Sequence, residues 1–356
     1  MNPADHVGAI DVTTEEVDLR SITPHDVATW TAYDTAMLDE APETPFDARR
    51  FSLLALPEFV TLRLFVARDP DGSIAGDARA VFSDTGNNTE ICQAHIGVRR
   101  DRRRQGIATR LLRHVAAAAD RPLVVGWSFD HLPAGAAFAE RIGAEAAIHQ
   151  HVNRLWLFEL DRPTLRAWSA AGPVRASGYS LKHIDGPYPD ELIGEIAALR
   201  TAIDPAHQGA FRLEPPMLSV DQIRSLERVI LAQGSERRAL VAIHESSGAV
   251  AGFTEMGFEA ARPALAQQWT TVVRPGHRGR GLGKWLKAAM LERMLAERPG
   301  VEEVRTANAA TNEPMLAINR ALGFKPYIGG TGWQVPVSRL RDYLSSRGAA
   351  ITPSTR

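Results

Sequence analysis

Two stretches of the chain run through the same order of hydrophobic and polar positions. The first opens with a short strand expected at residues 17–22 and a helix at 26–38; the second opens with a strand at 179–184 and a helix at 190–201. Three apolar or alternating runs of strand length follow in each, at 61–68, 74–82 and 91–98 and again at 238–244, 249–258 and 267–273. Asp69-Pro-Asp-Gly72 and Ser246-Ser-Gly248 supply turns between them. A glycine-containing segment then opens a helix. In the second stretch Leu282, Leu286, Ala289, Met290 and Met294 share one face and Pro299-Gly300 ends it; in the first, Ile107, Leu111, Leu112 and Val115 form the face and Pro122 the stop. A further strand, a second helix and a closing strand complete each stretch.

The agreement extends to the residues. Val98-Arg-Arg-Asp-Arg-Arg-Arg-Gln-Gly-Ile-Ala108 recurs as Val273-Arg-Pro-Gly-His-Arg-Gly-Arg-Gly-Leu-Gly283, and Phe138-Ala-Glu-Arg-Ile-Gly-Ala144 recurs as Ile318-Asn-Arg-Ala-Leu-Gly-Phe324. A spacing of a whole domain length marks a tandem duplication and not a solenoid. The 356 residues exceed the usual size of one core. The expected organisation is a first domain at 1–161, a connection at 162–177, a second domain at 178–344 and a tail at 345–356.

Apolar residues at 44% and charged residues at 23% fit a soluble globular chain, and a net charge of −1 gives no general attraction to nucleic acid or anionic lipid. One cysteine, Cys92, excludes an internal disulfide and a cysteine-based metal cluster, and fits a reducing cytoplasm. No metal-ligand spacing stands out. The apolar run at 53–67 is broken by Pro57, Glu58 and Arg63 and is too short to span a bilayer; residues 1–16 are acidic and lack the apolar centre of a secretory signal. Neither a membrane nor a nucleic acid is expected as partner, and the chain is expected to be a monomer or homodimer.

The repeated segment carries the chemistry. The first turn of a helix leaves backbone N–H groups unpaired and partly positive, and a diphosphate fits there if no side chain projects from the loop. Gly281 and Gly283 clear that space, while Arg278 and Arg280 bring charge at its rim. Arg103, Arg104, Gln105, Gly106, Ile107 and Ala108 stand at the same spacing in the first copy, after Val98. A plain glycine turn with solvated arginines is the simpler reading of either copy alone. A Rossmann loop is disfavoured because the segment follows several strands in each repeat. The run Arg99 to Arg104 lacks the aromatic ladder of a nucleic-acid surface.

With these residues the chain resembles the GNAT superfamily of acyl-CoA-dependent N-acyltransferases over both halves. That family carries Val-x-Pro-x-(Tyr/His)-Arg-Gly-x-Gly-x-Gly at its cofactor loop, an Asn opening the later helix and Leu-Gly-Phe closing it. Val273 to Gly283, Asn312 and Leu322-Gly-Phe324 match. The resemblance implies two tandem α/β (α+β) domains, each a bent mixed sheet flanked by helices. It also implies acetyl-CoA as donor and no metal, with Thr271 and Val273 along the thioester arm, Arg278 to Lys284 at the diphosphate and Asn312 at the arm. Asn312 also reads as a helix N-cap.

Acyl transfer needs a neutral amine, and an alkylamine of pKa about 9 is only about 1% neutral at pH 7, a cost of roughly 2.7 kcal/mol. The family often places a Glu or His base on the strand before the cradle; here those positions hold Gln267 and Trp269, and Cys92 and Ala94 in the first copy. It often places a Tyr four residues before the glycine of Leu-Gly-Phe, as acid for the thiolate; here stand Asn319 and Ala139. The second copy keeps Gln267, Asn308, Asn312 and Asn319 and is expected to be the working one, with Glu255 or a water chain taking the amine proton. Residues 204–226, with Asp204, His207 and Gln208, are expected to shape the site of a small-molecule amine. A silent CoA-binding scaffold and a protein or peptide acetyltransferase are the alternatives. Cys92 reads as a core residue, His114 as a surface one, His277 as rim packing, and Trp269, Trp285 and Trp333 as core.

Overall fold

A computed structural model of the chain describes residues 11–18, 21, 23–37, 56–201, 210–260 and 262–347. The first half comprises β1 (Thr13–Val17), α1 (Pro24–Met37), β2 (Val60–Arg68), β3 (Ile74–Ser83), β4 (Ile91–Val98), α2 (Ile107–Ala118), β5 (Leu123–Phe129), α3 (Pro133–Arg141) and β6 (Glu145–Trp156). Helix α4 (Arg162–Arg175) follows, and then β7 (Tyr179–Asp185), α5 (Asp190–Arg200), α6 (Val220–Ala232), β8 (Ser235–His244), β9 (Val250–Glu259) and β10 (Leu265–Val273). The chain continues through α7 (Leu282–Glu297), β11 (Glu303–Ala309), α8 (Glu313–Leu322), β12 (Lys325–Pro336) and α9 (Val337–Ser345).

All of these strands join one mixed sheet in the order β1-β2-β3-β4-β5-β12-β6-β11-β10-β9-β8-β7. Only β4 with β5 and β10 with β11 run parallel. The closing strands are exchanged between the halves: β6 pairs with β11 from Trp156–Glu303 to Gln150–Ala309, and β12 pairs with β5 from Pro336–Leu123 to Gly330–Phe129. Strands β6 and β12 then pair antiparallel with each other at the centre. Each half therefore closes with a strand of the other, and no sheet edge is left open between them.

The cores follow the exchange. Ile107, Leu111, Leu112 and Val115 of α2 bury against β-strand residues of the first half together with Val335, Val337, Leu340 and Leu344 from the C-terminal end. Leu282, Leu286, Met290 and Met294 of α7 bury against the second half together with Leu155, Leu157, Leu160 and Leu165. The expected connection, 162–177, contains helix α4, N-capped by Asp161, whose side chain accepts from Thr164 N. It lies so close on α7 that a Cβ on Gly172 would stand 2.2 Å from Trp285 Cδ1.

Two further elements differ from the sequence reading. The first strand occupies Thr13–Val17, overlapping the expected 17–22 at Val17, while residues 19, 20 and 22 lie outside the described residues; Arg68 and Arg63 hold Glu15 and Glu16 across its pairing with β2. Residues 220–232, expected within a site-shaping stretch, are helix α6, opened by a capping box in which the Ser219 side chain accepts from Gln222 N and Gln222 reaches back to Ser219 N.

Candidate active site

The two cradles agree in turn conformation as well as in sequence. Gly106 and Gly281 are the N-caps of α2 and α7, at φ 81° and 83°, and neither helix start has a side-chain cap. A residue with a Cβ is strained in that left-handed region, so glycine is required at the turn. In each copy an arginine ties the loop to the end of its strand: Arg103 Nε donates to Val98 O at 3.0 Å and Arg278 Nε to Val273 O at 3.1 Å. Arg104 occupies the position of Gly279 and is itself at φ 64°. Gln105 Nε2 donates to Asp101 O, and Ile107 turns inward to the core, followed by Ala108. Of the arginine run, Arg99 and Arg102 are paired with Asp69 and Asp101.

The strand ahead of the second cradle separates from its neighbour. β10 pairs with β11 only over Leu265–Glu303 to Gln267–Arg305, and its register with β9 shifts between Gln268 and Thr271. Beyond that point the strands diverge, leaving the β11-facing backbone edge of Trp269 to Val273 open. A cavity of about 700 Å³ fills the gap, walled by Trp269 to Val273, Thr306 to Ala309, His277 to Gly279, Gly281 to Lys284 and Lys287, with Asn312, Met315 and Ile318 of α8 opposite. Gln150, from the exchanged β6, and Arg175 of α4 complete the wall. Arg175, Arg278 and Lys284 are its cations beside the uncapped helix start, and among the described residues no carboxylate lines it. This combination suits a diphosphate at the helix mouth with an extended arm along the open strand edge.

The structure gathers Thr271, Val273, Arg278, Gly279, Gly281, Leu282, Gly283, Lys284 and Asn312 around this cavity. Arg280 stands between two of them but is not part of the wall. Asn312 also caps α8, its Oδ1 accepting from Met315 N at 3.4 Å. Gln267 sits on the paired part of β10, outside the wall. Asn319 is reached indirectly: its Nδ2 donates at 2.8 Å to Oδ1 of Asn308, which lines the cavity. Lys287 Nζ donates to Asn319 Oδ1 at 2.6 Å, and this buried lysine escaped the sequence reading. Burial with no compensating charge holds it down at about 7.

Glu255 is not at the cavity. Its carboxylate is buried, accepting from Tyr188 Oη at 2.8 Å and Arg200 Nη2 at 2.5 Å, with Arg237 Nη1 at 3.7 Å. The Tyr188 hydroxyl is pushed well above its ordinary value by burial and by the Glu255 charge. A base must reach its proton directly or through one water, and these partners take up both oxygens. Residues 210–219, also expected at the acceptor site, cross onto the first half. Phe211 is buried against Ile91, Leu123 and Val125, and Asn87 and Asn88 bond Glu214, Pro215 and Met217. Asp204, His207 and Gln208 lie outside the described residues.

The remaining candidates divide. Trp269 lines the cavity, Trp285 packs on α4, and Trp333 donates to Ser128 Oγ at 2.8 Å. His277 lines the cavity and shares a 2.8 Å hydrogen bond with Tyr179 Oη. His114 is half-buried, stacked on Phe65 and bonded to Thr14 Oγ1, so it is not a surface residue. Cys92 is fully buried, and burial pushes its thiol up to about 12. Among the described residues no cluster of potential metal ligands is found, and no helix is long and apolar enough to cross a membrane.

The first copy differs where the second is polar. Leu112, Ser128, Leu132 and Ala139 stand at the positions of Lys287, Asn308, Asn312 and Asn319, and Ser128 is occupied by Trp333.

Comparison with known proteins identifies what this arrangement belongs to. Residues 196–324 match the Acetyltransferase (GNAT) family and residues 61–143 an Acetyltransferase (GNAT) domain. The chain belongs to the GNAT acetyltransferases and carries two such domains in tandem. It is similar to the structure of a tandem GNAT protein from the clavulanic acid biosynthesis pathway, at 28% identity and TM-score 0.75, over 92% of this chain and 98% of that one. A GCN5-related N-acetyltransferase from Sphaerobacter thermophilus shares the fold at 15% identity and TM-score 0.65, covering 92% and 96%. A glucosamine N-acetyltransferase region of a fungal GH3 β-N-acetylglucosaminidase does so at 16% and 0.59, covering 90% of this chain and 38% of that one. No curated protein matches the chain.

Proposed function

We propose that the cavity between β10 and β11 transfers an acetyl group from acetyl-CoA to a small-molecule amine, and that the first copy supports it without turning over. The observation that carries this reading is the asymmetry between two cradles of one conformation. Only the second opens beside a chain of polar side chains, Asn308–Asn319–Lys287, while the first has Ser128, Ala139 and Leu112 in their place. The similar tandem protein from a small-molecule pathway agrees with a metabolite acceptor.

In this reading the first-turn N–H groups of α7 with Arg278 and Lys284 hold the diphosphate, and the open edge of Trp269 to Val273 orients the arm. Bound there, the donor supplies an activated carbonyl carbon. Backbone N–H groups near Val273 polarise that carbonyl, and the acceptor nitrogen attacks directly. Holding the two reactants in line supplies several kcal/mol, so transfer does not depend on a strong base. Its proton leaves through water, since Glu255 is held by Arg200 and Tyr188.

Calorimetry with acetyl-CoA and free-thiol release across a panel of primary amines test the assignment. Gly281→Val is expected to abolish acetyl-CoA binding at the second site and all turnover, whereas Gly106→Val leaves turnover within about threefold. Full binding by Gly281→Val, or loss of turnover only in Gly106→Val, reverses the ranking of the copies.

A further inference from the structure

Lys287 is an ionisable side chain of the site to which neither the cradle nor the resemblance gives a task. It is 2% exposed, lies on the first turns of α7 and lines the cavity. Its Nζ donates to Asn319 Oδ1, Asn319 passes a hydrogen bond to Asn308, and the Phe324 ring centroid is 5.5 Å from Nζ. Among the described residues no charge from the surrounding elements compensates it, and the other charged or titratable groups of the cavity are Arg175 of α4, His277 and Arg278 of the turn before α7, and Lys284 of α7. Behind the wall, Glu255 of β9 is held by Tyr188 and Arg200, Glu303 of β11 by Arg305, and Glu313 of α8 by Arg320.

An uncompensated buried ammonium is costly, and the fold does not need one here. Six residues beyond the N-cap glycine of α2, at the matching position of the first copy, stands Leu112, packed in the core. The lysine is therefore kept for the cavity. It also meets a vacancy in the acid–base equipment. The family's tyrosine position is Asn319 here, and an amide cannot release a proton at useful pH. The Asn319 oxygen instead receives Lys287.

We propose that Lys287 is the proton donor to the leaving sulfur of the acyl donor, taking the place of the tyrosine. This rests on the acetyltransferase reading of the cavity. As the acceptor nitrogen bonds the carbonyl carbon, the carbon–sulfur bond breaks with its electron pair going to sulfur, and sulfur takes a proton from the Lys287 ammonium. The acceptor nitrogen gives up one proton, which water carries back to the neutral lysine, so the cycle is balanced. Burial sets Lys287 at about 7, where it gives and regains a proton with least bias at neutral pH. Asn319 and Asn308 hold the ammonium in position by hydrogen bonds that do not titrate.

The test is read first on binding. Coenzyme A with its free thiol is added to the wild type and to Lys287→Met, and thiolate absorbance of the bound coenzyme is followed across pH. The wild type is expected to ionise the bound thiol about one pH unit or more below Lys287→Met, because an adjacent ammonium favours the thiolate. Identical thiol titrations overturn the proposal. In turnover with the most active amine of the panel, kcat of Lys287→Met falls about 100-fold or more with KM for acetyl-CoA kept. Lys287→Arg does not restore it, since a guanidinium holds its proton; full activity of either variant overturns the proposal.

If Lys287→Met does not fold, competitive acetylation of the wild type with trace acetic anhydride reads the lysine directly. Lys287 is expected to become half-reactive near pH 7, against about 10.4 for exposed lysines; a Lys287 that titrates with the exposed set overturns the proposal. Failure of the wild type to bind coenzyme A or acetyl-CoA at all is a different result. It refutes the acetyltransferase reading of the cavity, and this proposal with it.

Discussion

Replacing Glu255 by glutamine separates two roles that the sequence leaves open for it. The change removes one negative charge and keeps the volume. Arg200, whose side chain is 18% exposed, loses the carboxylate 2.5 Å away, and Arg237 loses a second carboxylate at 3.7 Å while keeping Glu227 at 2.6 Å. Tyr188 still finds an acceptor in the glutamine oxygen. Removing one partner of a buried ion pair costs about 3–5 kcal/mol. With Arg237 still compensated and Tyr188 still bonded, the lower end applies, about 3 kcal/mol. Equilibrium urea unfolding at pH 7 measures it, with free-thiol release from acetyl-CoA followed in parallel. The expected outcome is the stability loss together with kcat within about fivefold of wild type and an unchanged pH–rate profile. Unchanged stability with a 100-fold fall in kcat, relieved at high pH, refutes the reasoning and makes Glu255 the general base.

Gly172→Ala forces a methyl group into Trp285 at the α4–α7 contact and is expected to cost about 1–3 kcal/mol. Gly194→Ala, on the exposed face of α5 with nothing within 4 Å, is the control and is expected to raise the thermal midpoint slightly. Lys287 makes stability depend on pH. Its folded value of about 7 lies below the ordinary 10.5, so the unfolded chain holds more protons between the two values and stability rises with pH across that window. The gap is worth roughly 5 kcal/mol at 1.36 per unit. In urea unfolding between pH 6 and 10.5, Lys287→Met is expected to lack this rise; equal slopes in the two proteins contradict the burial of a low-affinity proton site.

The cradles were legible in the sequence because their demands are local: a left-handed turn needs Gly106 and Gly281, and a helix mouth for a diphosphate needs nearby Arg and Lys. Helix α6 left a readable signal that the loop assignment passed over, the pair Ser219 and Gln222 ahead of Ile223 and Leu226. Lys287 left a fainter one. It matches Leu112 in the repeat and falls on the spacing of Met290 and Met294, so a lysine stands on an apolar face. Glu255 misled because a carboxylate on a strand near the site gives no hint of Arg200 and Tyr188, which lie 55 and 67 residues away in sequence. The exchange of β6 and β12 was not legible at all. Duplication gives both strands the same place in the repeat, so local pattern cannot say which half each will join.

That exchange bears on why the proposed site needs two domains. The seam β5-β12-β6-β11 gives the second cavity a wall that the second half cannot supply: β6 backs β11 along Thr306 to Ala309, and its Gln150 lines the cavity. Leu155, Leu157, Leu160 and Leu165 enter the core around α7 from the same side. A fragment of residues 178–356 lacks all of these, and its β11 presents an unpaired edge beside a depleted core. It is expected to bind acetyl-CoA at least about tenfold more weakly than the full chain in calorimetry and to aggregate. Co-expression with residues 1–177, which carry β6 and α4, is expected to restore a soluble, binding complex. A monomeric 178–356 that binds acetyl-CoA as tightly as the whole chain contradicts the dependence. In that case the first copy would have to be explained by something other than the strand it lends. If the dependence holds, the strand the first copy lends is reason enough for a domain that carries Leu112 and Ala139 where the second carries Lys287 and Asn319.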